Sequence, residues 1–267
     1  MKFYLDVVCP VCGGCQCDND HRFPVACDIS DDNIYKVVCP NGHESYVGLR
    51  MYKFDILFEM GSIALIEGYY REAVANFVAS LERFLEFYID FSCYEDGIDA
   101  QEFKLAWKQV SSQSERQIGA FLFTYLRRTR TAIKYLDNKH VQFRNEVIHK
   151  GYIPNFDQTF AFGQAVLHYM DPIMFELEQN HSDKLREHEN RLVELSGKIR
   201  LVMSYMTLVS FGGANQTLRA PNFKERLAEL EERMNKSDHE GITARPNSAR
   251  FLAPVAPGFA KVQSADN

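Results

Sequence analysis

The sequence predicts a mainly α-helical protein that carries a small N-terminal module of short β-strands. Six of the seven cysteines lie between Cys9 and Cys39, and this clustering marks a module separate from the rest of the chain. After about Leu49, apolar residues recur at the spacing of amphipathic helices. Hydrophobic residues make up 46% of the 267 residues and charged residues 25%, which is the balance of a soluble globular protein.

Four regions are predicted along the chain. They are a cysteine module over 1–48, a helical bundle over 49–210, a linker with a short helix over 211–240, and a disordered tail over 241–267. Within and after the bundle, helices are predicted over 50–66, 69–92, 100–118, 119–138, 140–150, 157–180, 184–209 and around 225–230. Gly68 separates the first two helices, and Gly151 with Pro154 stops the fifth.

The chain has no sequence signal for a membrane or for secretion. No run of 18 apolar residues is present, and the first twelve residues lack a basic start followed by an apolar stretch. We therefore expect the protein in the cytoplasm, where clustered cysteines bind metal more often than they form disulfides. The net charge of −6 argues against wholesale coating of nucleic acid but leaves room for a local basic patch.

The cysteine module contains two short turns with the spacing of metal ligands. Cys9 and Cys12 form the first, and Cys39 and His43 form the second after a glycine-assisted turn. Strands are predicted around them over 3–8, 34–38 and 46–47. Three sulfurs and one nitrogen suit tetrahedral zinc, and four protein ligands leave no open position, so the zinc would be structural.

Residues 1–48 resemble a zinc ribbon, although the commoner form has four cysteines and this one has His43. Such a short module cannot bury enough apolar surface alone, so the metal would supply its stability. Redox chemistry of the cysteines is the alternative. Cys15, Cys17 and Cys27 are surplus to the four ligands and are reduced thiols, substitute ligands or part of a second metal site.

A second informative stretch runs from residue 143 to residue 151. At about 100° per residue, Arg144, Asn145 and His149 fall on one helix face, together with Val141 and Ile148. These three side chains suit the cleavage of RNA without a metal ion, because that reaction needs a base, an acid and a cation. Histidine exchanges protons near neutral pH, and arginine binds phosphate oxygens bidentately, while Asn145 would orient the histidine or the phosphate.

The helices before this stretch, over 59–84, resemble the opening helices of HEPN proteins, and the likeness covers about 50–180. In that family, an arginine, a polar residue and a histidine after four to six intervening residues mark ribonucleases. The resemblance implies a metal-independent endoribonuclease that leaves a 2′,3′-cyclic phosphate and a 5′-hydroxyl, in antiviral defence or as a toxin. Members paired with nucleotidyltransferase antitoxins carry a tyrosine two residues after the histidine. In this chain that position is Gly151, so the sequence departs from the pattern of that subgroup.

The surrounding charge favours a phosphate backbone. Residues 127–150 hold seven cations against two acids. Arg127, Arg128, Arg130 and Lys150 are therefore the RNA-binding candidates, and a solvated basic helix face is the alternative for the first three.

Two partners besides RNA are expected. A homodimer would bring two copies of the Arg144–His149 face together and so provide both proton-transfer groups. A ribonuclease that harms its host must be held in check, so an activating trigger or an inhibitor protein is expected as well. The alternative function is a non-catalytic module whose same helix face binds RNA, a nucleotide or a protein.

Overall fold

The computed structural model describes residues 2–9, 11–12, 22–28, 34–50, 52–194, 201–204, 222–231 and 234. The chain is mainly helical with short N-terminal strands, as the sequence predicted. It divides into two compact units. The N-terminal unit contains the described residues of Met1–Arg50 and Val193–Tyr205, and the helical unit those of Met51–Leu192 and Met206–Gly241.

The N-terminal unit contains two small sheets. Strand β1 (Lys2–Val8) pairs antiparallel with β2 (Arg22–Asp28), and β3 (Ile34–Val38) pairs antiparallel with β4 (Glu44–Arg50). In β3 the side chains alternate with a period of two, so that Tyr35 and Val37 are buried. The three predicted strands are confirmed, whereas β2 was not predicted.

A fifth strand, β5 (Leu201–Ser204), pairs parallel with β4 and completes the second sheet. A helix had been predicted over 184–209, and this prediction was wrong over 201–204. The physical reason is that a short apolar run fits a helix or a strand equally well by periodicity. Pairing with β4, whose residues lie 154 positions before their partners in the chain, decides between them.

The helical unit consists of helices connected by short turns. They are α1 (Lys53–Ile66), α2 (Tyr70–Glu95), α3 (Ala100–Val110), α4 (Ser114–Thr129), α5 (Asn138–Lys150), α6 (Phe156–Glu194) and α7 (residues 223–231). The break between the third and fourth helices, predicted at 118–119, lies instead at 111–113. The predicted helix to 138 ends at Thr129, because Arg130 takes a left-handed conformation with φ of 60°. Helix α6 continues through a kink at His181, where a break had been predicted.

The core of this unit is built on α2 and is rich in aromatic rings. Phe54, Phe77, Phe84, Tyr88 and Phe91 are fully buried. Phe58 of α1 packs on Phe77 with ring centroids 4.9 Å apart. Burial of such rings contributes a large share of folding free energy, so the helical unit has its own hydrophobic core.

Two glycines allow helices to approach Phe77 closely. A Cβ atom added to Gly61 of α1 would lie 2.7 Å from Phe77, and one added to Gly163 of α6 would lie 2.8 Å from it. Both distances are shorter than van der Waals contact. Neither requirement could be predicted from the sequence, because each depends on the approach of Phe77 from another helix.

Substitution of Gly163 by alanine is expected to destabilise the protein by about 1–3 kcal/mol, because the new methyl group overpacks the core. Gly119 provides a matched control, since it also lies within a helix but its added Cβ would meet nothing within 4 Å. The Gly119→Ala protein should gain about 0.5–1 kcal/mol from helix propensity. Urea unfolding monitored by circular dichroism measures both, and equal effects of the two substitutions would contradict the close packing at Gly163.

Helix α7 was predicted as a short polar helix. It does form, but one of its faces is part of the core, since Phe223, Leu227 and Leu230 are buried. Arg226 is also buried and its guanidinium pairs with Asp171 of α6, with Nη2 lying 2.7 Å from Oδ2. The predicted disordered tail over 241–267 lies outside the described residues. None of the described helices has the length and apolar character that a membrane crossing requires.

Candidate functional site

Three cysteines and one histidine converge in the N-terminal unit. Cys9 follows β1 directly, and Cys39 follows β3. The turn after Cys39 is closed by two backbone hydrogen bonds, from Gly42 N–H to Cys39 C=O (2.8 Å) and from Cys39 N–H to His43 C=O (3.0 Å). Gly42 has φ of 83°, which favours glycine, so the predicted glycine-assisted turn is confirmed.

The ligand atoms of Cys9, Cys12, Cys39 and His43 all lie within 4.8 Å of one another. Zinc bonds of about 2.3 Å to sulfur and about 2.0–2.1 Å to nitrogen give tetrahedron edges of about 3.8 Å between sulfurs and about 3.5–3.6 Å between sulfur and nitrogen. The Sγ atoms of Cys12 and Cys39 are 3.8 Å apart. His43 Nδ1 lies 3.9 Å from Cys9 Sγ, 3.2 Å from Cys12 Sγ and 3.5 Å from Cys39 Sγ. These four residues can therefore hold a metal ion.

Hydrogen-bond donors near two of the sulfurs act in favour of the thiolate form that a metal needs. The Cys12 backbone N–H donates to Cys9 Sγ at 3.4 Å, and Asn41 Nδ2 donates to Cys12 Sγ at 3.3 Å. Burial alone would raise the pKa of the Cys9 thiol, but donation from the Cys12 and Val11 backbone outweighs it and lowers that pKa to about 7. At Cys12, donation from Asn41 lowers the thiol pKa, but burial and the neighbouring Cys9 and Cys39 sulfurs outweigh it and raise that pKa. Asn41 was not predicted as part of the site.

The side chains of the three surplus cysteines lie outside the described part of the chain. Cys15 and Cys17 lie outside the described residues. Cys27 lies in β2, where the backbone alone is described. The sequence alternatives for all three, reduced thiols, substitute ligands or a second metal site, therefore stay as they were.

The Arg–Asn–His stretch lies on α5 as predicted, but its three side chains differ in exposure. His149 is exposed near the C-terminal end of the helix, while Arg144 and Asn145 are half-buried. Arg144 Nε donates to Asn145 Oδ1 at 3.0 Å. Asn145 therefore orients the arginine, whereas orientation of the histidine or the phosphate had been predicted. Val147 is buried in the core, as expected for the opposite side of the helix.

Arg144 also lines a small cavity that sequence reasoning did not assign to the site. The cavity includes Glu82 of α2, Tyr135 and His140. Glu82 accepts a hydrogen bond from Ser114 Oγ at 2.6 Å. The available signal was a glutamate at position 82, next to the apolar Leu81 on α2.

Burial around the cavity perturbs two of its titratable groups. Burial raises the pKa of Tyr135 to about 12, although the charge of Arg144 acts in the opposite direction. Burial, together with the neighbouring charge of Lys139, lowers the pKa of His140. Both groups are therefore favoured in their neutral forms, beside the permanently charged Arg144.

The four predicted RNA-binding residues have different surroundings. Arg130 and Lys150 are exposed. Arg127 is exposed and pairs with Asp96, its Nη2 lying 2.5 Å from Oδ2.

Arg128 differs from the other three because its side chain is only 10% exposed. It pairs with Glu95, and its guanidinium lies 5.1 Å from the ring centroid of Phe91 and 5.7 Å from that of Tyr88. Arg128 therefore stabilises the contact between α2 and α4, and its charge is already compensated there.

Comparison with known proteins found no match among family models, curated proteins or solved structures.

Proposed function

We propose that the protein is a metal-independent endoribonuclease of the HEPN type, with Arg144 and His149 as catalytic residues and a structural zinc ion in the N-terminal unit. One observation carries the proposal. Asn145 holds the Arg144 guanidinium through Nε, and in the described part of the chain no hydrogen bond or ion pair engages its two terminal nitrogens. A guanidinium fixed in this way, five residues before an exposed histidine, suits a phosphate group.

The chemistry assigns one role to each side chain. The His149 imidazole accepts the proton of the 2′-hydroxyl, and the 2′-oxygen then forms a bond to phosphorus. The bond from phosphorus to the 5′-oxygen breaks, and an imidazolium protonates that oxygen. The terminal nitrogens of Arg144 donate to the non-bridging oxygens as their negative charge grows. The products are a 2′,3′-cyclic phosphate and a 5′-hydroxyl, and no metal ion takes part.

Two proton transfers need two titrating groups, and the described α5 presents His149 as its exposed histidine. His140 lies nine residues earlier, about 13 Å along the helix axis, which is too far to act on the same phosphate. We therefore propose a homodimer in which His149 of the partner subunit supplies the second group. Arg127, Arg130 and Lys150 would contact the RNA backbone, since their side chains are at the surface.

A zinc ion is proposed for the metal centre because the sulfur–sulfur and sulfur–nitrogen distances fit its tetrahedral geometry. With four protein ligands it would be structural. A role in antiviral defence or as a toxin, restrained by a trigger or an inhibitor protein, extends the HEPN resemblance and is proposed on that basis.

The alternative is a non-catalytic module that binds RNA, a nucleotide or a protein. The observation that favours it is the half-buried position of Arg144 in a cavity with Tyr135 and Glu82. In that case Arg144 would bind a phosphate group and His149 would have no chemical role.

Cleavage of total RNA in excess EDTA distinguishes the two functions. We expect the wild-type protein to cut, and His149→Ala and Arg144→Ala each to reduce the rate by about 100-fold or more. Both substitutions should leave helix content intact, because neither side chain is in the core. His168→Ala and Arg186→Ala are matched controls, since both residues are exposed on α6.

The pattern of losses decides the assignment. Full activity in a folded His149→Ala protein would contradict the catalytic role of that residue. RNA binding without cleavage by the wild-type protein would support the non-catalytic alternative. Loss of cleavage in EDTA by protein that keeps its structural zinc would show that a further metal ion participates in the reaction, contrary to the proposal.

A further inference from the structure

The loop between α5 and α6, residues 151–155, is held in place by a set of hydrogen bonds. Gly151 has φ of 71°, and the next residue, Tyr152, donates its backbone N–H to Glu146 C=O at 3.1 Å. Asn155 Oδ1 accepts from the Gln158 backbone N–H at 2.9 Å, and Gln158 Oε1 accepts from the Asn155 backbone N–H at 3.1 Å. These reciprocal bonds form a capping box, which fixes the start of α6.

Tyr152 is fixed by its side chain as well. Its hydroxyl lies 2.9 Å from Gln158 Nε2, and its ring and that of Phe143 pack in a T-shaped arrangement with centroids 6.4 Å apart. The residue is nevertheless 41% exposed. Its neighbours Ile153 and Phe156 are 78% and 45% exposed. A fixed loop that, together with the first residue of α6, presents three large apolar side chains to solvent is typical of a binding surface.

The position of this loop indicates what binds there. Tyr152 follows His149 by three residues, and Lys150 lies between them. His149 and Lys150 are exposed and have no ion-pair partner in the described part of the chain. Asp157 is the exposed acid of the same stretch. An aromatic ring beside a free cation suits single-stranded RNA, because the ring stacks on a base and the cation contacts a phosphate.

We propose that Tyr152 is a substrate-positioning residue that stacks on a nucleobase of single-stranded RNA next to the phosphate on which His149 acts. The proposal rests on the proposed ribonuclease function and adds its substrate class. A fixed ring loses little conformational freedom when a base stacks on it, so the hydrogen bonds of the loop favour binding. Duplex RNA would not use this ring, because its bases are stacked on one another.

The test measures RNA binding in the full-length His149→Ala background, where no cleavage interferes. A fluorescently labelled single-stranded RNA of mixed sequence is titrated with protein and followed by anisotropy. Tyr152→Ala should weaken binding by about tenfold or more, the range expected for loss of one stacked base. Tyr152→Phe keeps the ring and should bind within about threefold of the parent, since stacking needs the ring alone. Phe175→Ala is the matched control, because that residue is equally exposed on α6.

The outcomes separate this proposal from the proposed function. Cleavage by the wild-type protein together with undiminished binding by the Tyr152→Ala protein would overturn the stacking role alone. Absence of cleavage by the wild-type protein would overturn the ribonuclease, while a tenfold loss of binding would still assign Tyr152 to an RNA surface. If Tyr152→Ala weakens self-association in sedimentation and leaves RNA binding unchanged, the loop contacts a second copy and the proposal is wrong. An equal loss of binding to duplex RNA would also contradict it.

Discussion

Replacement of Cys39 by serine is expected to remove the metal ion and to unfold the N-terminal unit. Cys39 Sγ lies 3.8 Å from Cys12 Sγ and 3.5 Å from His43 Nδ1, so the substitution removes one corner of the ligand set. A serine hydroxyl is not ionised near neutral pH and is a poor zinc ligand. Structural zinc sites contribute about 10–16 kcal/mol of apparent binding free energy, and small metal modules lose their fold without it.

Elemental analysis of freshly purified protein measures the result. We expect about one zinc per chain in the wild-type protein and less than about a tenth of that in the Cys39→Ser protein. Cys93→Ser is the matched control, because Cys93 is a half-buried free cysteine of α2 in the helical unit. It should keep the full metal content. Retention of a full equivalent of zinc by the Cys39→Ser protein would show that the four assigned residues are not the ligand set.

The four residues of the candidate metal centre could be predicted from sequence because each of its two turns is local. The turns at Cys9–Cys12 and Cys39–His43 each place two ligands within a few residues, and glycine at position 42 allows the second turn to close. The placement of Arg144 and His149 on one short helix could be predicted for the same reason, and their role as a pair stays a prediction. In each case the spacing along the chain fixes the relation in space.

Other features depend on contacts between distant parts of the chain. Such contacts could not be predicted from the spacing of residues in the sequence. Glu82 and Arg144 lie 62 residues apart and meet only because α2 and α5 pack together. The partner of Arg128 is Glu95 on another helix, so a cation counted toward an RNA surface is in fact internal. The sequence places Asn145 beside Arg144, but the rotamers of the two side chains, and not their spacing, decide that Asn145 accepts a hydrogen bond from Arg144.

Phe123 is a residue that sequence reasoning places in the core but that the structure places at the surface. Its aromatic character and its place between Phe121 and Tyr125 favour a core position, because aromatic residues are usually buried. Phe121 is fully buried, but Phe123 is 75% exposed. Two residues along a helix correspond to a rotation of about 200°, so neighbours in such a cluster face opposite directions.

Replacement of Phe223 by alanine is expected to lower the free energy of unfolding by about 3–5 kcal/mol, a large part of the total of a typical domain. The ring is fully buried, with centroids 5.2 Å from Phe160, 5.5 Å from Phe58 and 6.0 Å from Phe77. It also lies against Gly163, whose added Cβ would be 2.9 Å away. Because both α1 and α6 contact this ring, the cavity that alanine leaves cannot close by a small shift of one helix.

Urea unfolding followed by circular dichroism measures the change, with Phe123→Ala as the control. That ring is exposed, so its removal should change the free energy of unfolding by less than about 0.5 kcal/mol. The comparison isolates burial, since both substitutions remove the same phenyl group from a helix. A Phe223→Ala protein as stable as the control would mean that α7 contributes nothing to the core, and the helical unit would then end at α6. A loss of the expected size shows instead that the stability of α1, α2 and α6 depends on a segment that the sequence presents as a polar appendage.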